Sequence, residues 1–364
     1  MLDRENIAPI CGADQLDFFQ DELMDQQALQ PKSNAHTVPI NLDDYDRFIV
    51  AFSGGKDSVA CVLHLLECGV SSEKVTLHHH NVDGEETGQD GLMDWPVTTD
   101  YCRKVAEALG CQFSQSWRVG GFEGEMLRRN QPTAPISIPY LVDGERVKIG
   151  GEGKPNTRLK FPQVTANLAT RWCSSSLKIS CMDAWVRNDP QFLEGKTLVI
   201  TGERAEESKS RANYHEFEPH RSDNRNGLRV MRVVDHWRPV HKWSEQEVWA
   251  ILERWRVTAH PAYHLGFGRC SCRPCIFGNK DQWATINLIA PSQFHRVVQR
   301  ESETGLTIHR TLSVIQLAEM GRPYTTAHDP YWSKIGNSHT FEHPVISDNW
   351  VLPAGAFGES CGPS

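Results

Sequence analysis

Residues Phe48 to Ser58 read FIVAFSGGKDS. The first five are apolar and partly β-branched, the length and composition of a buried strand. The chain then passes through two adjacent glycines, a lysine, an aspartate and two serines into DSVACVLHLLECG, where Val59, Val62, Leu63 and Leu66 share a helical face and Gly69 closes the helix. A buried strand that turns through glycine into a helix is half of a β-α-β unit, and such units build parallel sheets covered on both faces. The rhythm continues with strand KVTLHHHNVD, helix VTTDYCRKVAEALG and strand CQFSQSW, then helix SSLKISCMDAWVRN and strand TLVITG. The expected fold class is therefore α/β, a doubly wound, mainly parallel sheet with helical and Cys-rich C-terminal additions.

The turn itself selects among phosphate-binding loops. The Walker pattern fails, because Val50 stands where its first glycine belongs and Asp57 where its Ser or Thr belongs. A dinucleotide fingerprint fails because the glycines are adjacent and no third follows. The pattern S-G-G-x-D-S of a PP-loop fits. Gly54 and Gly55 permit a tight turn that brings backbone N–H groups against an anion. The helix beginning near Asp57 directs its N-terminal dipole there. Ser53 and Ser58 add hydroxyls and Lys56 adds charge, while Asp57 suits Mg²⁺ or a structural hydrogen bond.

The rest of the chain organises around this unit. Residues 1–42 read as an N-terminal arm with one helix near 15–29. Residues 43–240 read as the nucleotide-binding domain, with an insertion at about 131–162 that holds a hairpin turning at Asp143-Gly144. Residues 241–290 form a helical and Cys-rich segment completing the site, and 291–364 a C-terminal extension draped over the domain. Ser244 and Glu247 fit a capping box. The N-terminal residues have no basic stretch followed by an apolar core, and no run of eighteen apolar residues occurs, so a cytoplasmic chain without membrane contact is expected. A net charge of -8 disfavours a general nucleic-acid binder, though basic stretches at LRRNQ and PHRSDNRNGLRVMR leave room for RNA. The 11 cysteines are an odd number with no secretory signal, which points to reduced thiols.

These motifs together resemble the phosphoadenosine phosphosulfate (PAPS) reductase family, and within it the reductase-like proteins of phages, mobile elements and CRISPR loci. The resemblance runs from about Asp46 to Trp283 through SGGKDS, HHHNVDG, MDWPVTTDYC, SWRVGGFEGEMLR, RWCSSSLK, TGERAEESKSRA, HWRPVHKWSEQEVW and HPAYHLGFGRCSCRPCIFG. It implies an adenine nucleotide alpha-hydrolase-like fold with the ligand across the carboxyl ends of the strands. Asp83 and Gly84 then lie on that rim, with Asp83 reaching a ribose hydroxyl, Mg²⁺ or the loop itself. Arg204, Lys209 and Arg211 face the anionic end of the nucleotide, and Lys178 of RWCSSSLK joins the binding residues. His78 and His80 share one strand face and His79 the other; without a carboxylate or Cys at metal spacing they read as structural or nucleotide-lining.

Cys272 and Cys275 form a C-x-x-C clamp, which serves zinc, iron–sulfur clusters or redox disulfides. The resemblance adds Cys173 of RWC as a third thiolate. Cys270 is a fourth candidate that departs from the apolar residue the family has there. A [4Fe–4S] cluster is the first reading, Zn²⁺ the second and a plain thiol pair the third. Cys11, Cys61, Cys68, Cys102, Cys111 and Cys181 read as core or incidental residues. Cys361 of GESCGPS only slightly resembles the tail nucleophile of assimilatory reductases.

Three functions are expected on these grounds. The first is an enzyme binding ATP or another adenine nucleotide with Mg²⁺, cleaving at the α-phosphate with pyrophosphate release for an unknown acceptor, and coupled to sulfur transfer or redox at a Cys-bound cluster. Lys56, Asp57, Arg204 and Arg211 are its catalytic candidates. Ser53, Gly54, Gly55, Ser58, Asp83, Gly84, Lys178 and Lys209 bind the ligand. The second is reduction of PAPS or adenosine phosphosulfate (APS) to sulfite. The third is a non-catalytic nucleotide-binding accessory of a defence or CRISPR-associated system, with a protein or RNA partner or a second copy of the chain.

Overall fold

A computed structural model describes residues 40–84, 91–140, 145–165 and 167–358. The chain divides into two units, residues 1–42 and 43–364, and the second holds the sheet and its helices. The helix expected near 15–29, the Asp143-Gly144 turn, Cys11 and Cys361 lie outside the described residues.

Eight strands form one sheet: β1 Arg47–Ala51, β2 Val75–His80, β3 Gln112–Arg118, β4 Ile136–Tyr140, β5 Glu145–Ile149, β6 Lys196–Ile200, β7 Phe217–Pro219 and β8 Val233–Trp237. Their spatial order is β5-β4-β3-β2-β1-β6-β8-β7. β3, β2, β1, β6 and β8 run parallel, while β4, β5 and β7 join antiparallel at the two edges. The hairpin expected as an insertion thus extends the main sheet rather than standing apart from it. β8 is a strand that the apolar pattern does not mark. It carries Asp235 and His236 between apolar residues, and Asp235 is satisfied by the Tyr45 hydroxyl at 2.9 Å and by Arg225. A buried polar network there obscures the apolar run that marks the other strands.

The α-helices that cover the sheet and shape its rim are α1 Lys56–Glu67, α2 Thr98–Ala108, α3 Gly121–Met126, α4 Ser180–Asn188, α5 Glu245–Arg254, α6 Pro261–His264, α7 Lys280–Ile289, α8 Pro291–Thr304, α9 Val314–Met320 and α10 Pro330–Gly336. Both sheet faces are covered because β1 is apolar at every central position. Ile49 packs with Val199 and Val234 against Met182, Trp185 and Val186 of α4. Phe48 and Val50 are also buried and, by strand alternation, take the opposite face. α1 lies against β1 and α5. The Ser244–Glu247 capping box opens α5 as expected, with both reciprocal bonds formed.

Strand order reverses at β1. From there the chain moves outward through β2 and β3, and returns on the other side as β6 and β8. In an open parallel sheet such a reversal leaves a crevice beyond the carboxyl ends of the two diverging strands. The loops after β1 and β6 border it, and these carry SGGKDS and TGERAEESKSRA.

Candidate functional site

The loop after β1 is built by its glycines. Gly54 has φ +75°, a left-handed conformation, and a Cβ there would stand 3.1 Å from both the Cys102 sulfur and the Tyr101 ring. Cys102, expected as a core residue, is pressed beneath the loop. Gly55 precedes α1 in extended conformation. Its N–H donates to Ser53 Oγ at 3.3 Å, and the Ser58 hydroxyl donates to its carbonyl at 2.8 Å. Ser58 therefore braces the turn, while Ser53 is exposed at its lip.

The loop after β6 presses on the first. A Cβ on Gly202 would lie 2.9 Å from the Asp57 carbonyl carbon, so a glycine permits the approach. Arg204, 3% exposed, donates through Nε to Asp57 Oδ1 at 2.6 Å and through Nη1 to Glu206 at 2.5 Å. Burial opposes the Arg204 charge, but Asp57 and Glu206 hold its pKa above the ordinary range. Asp57 is thus occupied by a structural pair, one of the two roles its sequence position allowed. Lys56 is held more loosely. Its ammonium stands 3.5 Å from Asp57 Oδ2 and 3.5 Å from Glu245 Oε1, longer than a charge-assisted hydrogen bond. Arg211 pairs with Glu207, and Lys209 is exposed.

Asp83 and Gly84 do lie on the same rim. The Asp83 carboxylate accepts the N–H groups of Met93 and Asp94 at 2.9 and 2.7 Å, locking the segment after the second strand. Burial, reinforced by the Asp94 charge, lifts its pKa to about 6 despite those bonds. Gly84 has φ +102° and packs on Gly121, whose own Cβ would run into the Asp83 carbonyl.

The Cys-rich turn sits on the glycine loop. The buried Tyr263 hydroxyl accepts the Lys56 N–H at 3.0 Å. The Cys270 sulfur lies 3.8 Å from the Ser53 carbonyl oxygen. Arg273 clamps the turn from behind: its N–H donates to Met93 O at 2.8 Å, and its guanidinium reaches Gln293 of α8 and Asn337 after α10. Gln293 also donates to the carbonyls of Gly91 and Asp94. The C-terminal helices therefore hold site loops in place, beyond the draping expected of them.

Cys173, Cys272 and Cys275 form an electrostatic group with Lys178. Burial and the neighbouring Cys275 push Cys173 up to about 11, against the pull of Lys178 and Arg171. Burial also raises Cys272 well above the usual thiol range, again against Lys178. Burial disfavours the Lys178 charge, yet Cys272, Cys173 and Asp94 hold its pKa above its ordinary value. Lys178 lies in a five-residue π-helical stretch, Ser175–Ile179, leading into α4. Such stretches recur at functional sites because they re-aim side chains. Cys270 has Asp94, Lys178, Arg269 and Lys56 around it, the first two shared with Cys272. Among the described residues no group of three or more His, Cys, Asp or Glu could hold a single metal ion. Cys173, Cys270, Cys272 and Cys275, the four expected metal ligands, are thus not gathered as a single-ion site among the described residues.

Asp94 is a rim residue that no motif singles out, although it lies within MDWPVTTDYC. It accepts the hydroxyl of Thr98, the first residue of α2, at 3.0 Å and influences Lys178, Cys270 and Cys272. Two of the three histidines are bound within the fold. His78 is fully buried, bonded to Ser114 and Ser116 at 2.7 and 2.8 Å and stacked on Trp185. His79 bonds the Phe52 carbonyl at 3.0 Å. In the basic stretches considered for RNA, Arg128 and Arg232 are buried and Arg225 pairs with Asp223 and Asp235, while Arg129, Arg221 and Arg229 are exposed. Among the described residues no helix is long and apolar enough to cross a membrane.

Comparison with known proteins adds a domain match. Residues 165–277 match the phosphoadenosine phosphosulfate reductase domain. An uncharacterized 37.8 kDa protein of Escherichia phage 186 is 26% identical over 293 residues, 78% of this chain and 80% of that protein. Adenosine 5'-phosphosulfate reductase of Allochromatium vinosum is 36% identical over 83 residues, 23% of this chain and 29% of the enzyme. The reductase of the same description from Burkholderia cepacia is 32% identical over 76 residues, 21% of this chain and 27% of the enzyme. The shared stretch is thus less than a third of either reductase. What the comparisons establish is a phosphoadenosine phosphosulfate reductase domain match confined to residues 165–277, under a third of the chain.

Proposed function

We propose that this chain is a PP-loop enzyme that binds ATP or another adenine nucleotide across the β1/β6 crevice, where an oxygen of an acceptor substrate attacks the α-phosphate, takes the adenylyl group and displaces pyrophosphate. The cleavage is coupled to sulfur transfer or redox at Cys173, Cys272 and Cys275. The observation that carries the reading is the seating of the Cys-rich turn on the glycine loop, through Tyr263 to Lys56 N and Cys270 against Ser53. A nucleotide held by the loop would have its phosphates on the thiol side of the rim.

The residues divide the work by how firmly each is already held. Arg204 is tightly paired and acts as a positioning residue that fixes Asp57. Lys56 is loosely paired, so a phosphate oxygen at ordinary hydrogen-bond distance outcompetes its 3.5 Å contacts. The α1 N-terminus and Lys56 then stabilise charge on the leaving pyrophosphate. Asp57 and Glu245 are hard oxygen donors beside that position, the ligand type Mg²⁺ takes together with phosphate. Cys173, Cys272 and Cys275 share a neighbourhood with the Lys178 cation, and thiolates of this kind are the ligands an iron–sulfur cluster takes. Such a cluster, when bound, would supply electrons or an iron open to sulfur.

Pyrophosphate release from ATP tests the first reading. Lys56→Ala should abolish it while leaving the circular dichroism unchanged, and full activity in that variant contradicts it. A second reading, reduction of APS or PAPS to sulfite, draws on the stretches shared with two adenosine 5'-phosphosulfate reductases. Sulfite formation that is lost in Cys361→Ser would favour this second reading. No sulfite from either nucleotide would exclude it.

A further inference from the structure

On the same rim, beyond β3, three arginines close on one carboxylate. Arg118 ends β3, Glu125 lies in α3, Arg128 follows that helix, and Arg158 comes from the segment after β5. The Arg158 N–H donates to the Arg128 carbonyl at 2.9 Å, which ties the two segments together. Arg158 Nη2 donates to Glu125 Oε1 at 2.7 Å, and Arg128 Nη2 stands 3.3 Å from the same oxygen. Arg118 donates to the carbonyls of Ser176 and Ala134 at 3.1 and 2.5 Å. The Arg128 and Glu125 side chains are 5% and 1% exposed, and Arg158, at 19%, forms the open edge.

Three guanidiniums against one carboxylate leave a formal excess of two positive charges in the interior (3 − 1 = 2). Buried charge is costly unless paired. The cost is visible at Arg118 and Arg158. Burial lowers the pKa of both, and neighbouring arginines lower it further, against the pull of Glu125. A second observation indicates what the cluster lacks. Among the described residues, Arg128 Nε, Arg158 Nε and the buried Trp172 Nε1 are donors without an acceptor, and the Arg158 guanidinium lies 4.8 Å from the centre of the Trp172 ring. Glu125 Oε2 is likewise an acceptor without a donor. Several N–H donors and one carboxylate acceptor together match a tetrahedral oxyanion that still carries one proton.

We propose that Arg118, Arg128, Arg158, Glu125 and Trp172 form a binding site for a singly protonated phosphate group, either inorganic phosphate or a phosphomonoester. The arginine and indole N–H groups meet its oxygens, and its P–OH donates to Glu125 Oε2. Sulfate has the same shape and charge but no proton to give, so its oxygen would face the Glu125 carboxylate unfavourably. Trp172 and Ser176 flank Cys173, so the site adjoins the thiol group without using the glycine loop.

Calorimetric titration with inorganic phosphate, sulfate and ribose 5-phosphate at constant ionic strength tests this. One phosphate per chain should bind, with sulfate at least about tenfold weaker, the scale of one charge-assisted hydrogen bond. Ribose 5-phosphate binding like phosphate would mark the ligand as a phosphomonoester, and its exclusion would mark it as the free ion. Arg158→Gln, at the open edge, should weaken phosphate by a similar factor. Glu125→Gln should narrow the gap between phosphate and sulfate; if that variant does not fold, Arg158→Gln carries the test. The titration reads phosphate without nucleotide or turnover, so failure here is separable from failure of the nucleotide reading. No phosphate binding in the tens of millimolar, sulfate binding as tightly as phosphate, or unaltered binding in Arg158→Gln would overturn the proposal.

Discussion

Two residues on neighbouring stretches of the rim, Asp83 and His80, respond to pH in opposite directions. Burial and the Asp94 charge raise Asp83 from 3.8 to about 6. Between these values the folded chain binds more protons than the unfolded one, so this group lowers stability as pH rises through the window. The stability of the wild type relative to Asp83→Asn should therefore fall by on the order of 2 kcal/mol between pH 4 and 7. Burial lowers His80 from 6.5 to about 3. Its contribution is present above 6.5 and is lost as pH falls, by roughly 2 kcal/mol at pH 5 relative to His80→Gln. Urea denaturation of the two variants across pH 4–8 checks both signs. Gly121 is a third single-residue test. Its φ of +54° and the Asp83 carbonyl beside it leave no room for a methyl group. Gly121→Ala should cost about 2–4 kcal/mol in thermal or chemical denaturation. The motif pattern makes Asp83 and the glycines visible as candidates. It cannot show that Asp83 is consumed by two backbone N–H groups, because that depends on how residues 91–94 fold back.

At the level of elements, the apolar runs of β1, β2, β3 and β6 and the helical faces of α1, α2 and α5 are legible because each alternates or repeats cleanly. β8 is not, since Asp235 and His236 interrupt it and their partners come from Tyr45, Arg225 and Thr201. The π-helical stretch before α4 is likewise hidden: SSLKI has ordinary helical composition, and its wider turn comes from tertiary packing. Two element-scale outcomes are expected. Ser244→Ala should destabilise α5 by about 1 kcal/mol, because it removes a formed capping box. Trp185→Ala should cost about 3–5 kcal/mol, because Trp185 fills the core beneath β1 and stacks on His78. Differential scanning calorimetry distinguishes these two scales.

Across the whole molecule, the glycine loop, the second rim loop and the Cys-rich turn are far apart in sequence, yet the sheet brings them to one edge. The loop's identity is legible because six adjacent residues carry it. The relation of the cysteines is only partly so: Cys270 lies against the Ser53 carbonyl of the glycine loop and shares Asp94 and Lys178 with Cys272. The contribution of α8 and α10 through Arg273 cannot be inferred from any local pattern. The nucleotide reading depends on a nucleotide on the glycine loop lying against the Cys-rich turn. Thiol alkylation followed by peptide mass spectrometry, with and without saturating ATP or APS, tests this most directly. Cys270 and its neighbours Cys272 and Cys275 should label more slowly when nucleotide is present. Exposed Cys68, at the far end of α1, should label at an unchanged rate. Equal labelling of Cys270 in both conditions, or protection of Cys68 instead, would contradict it.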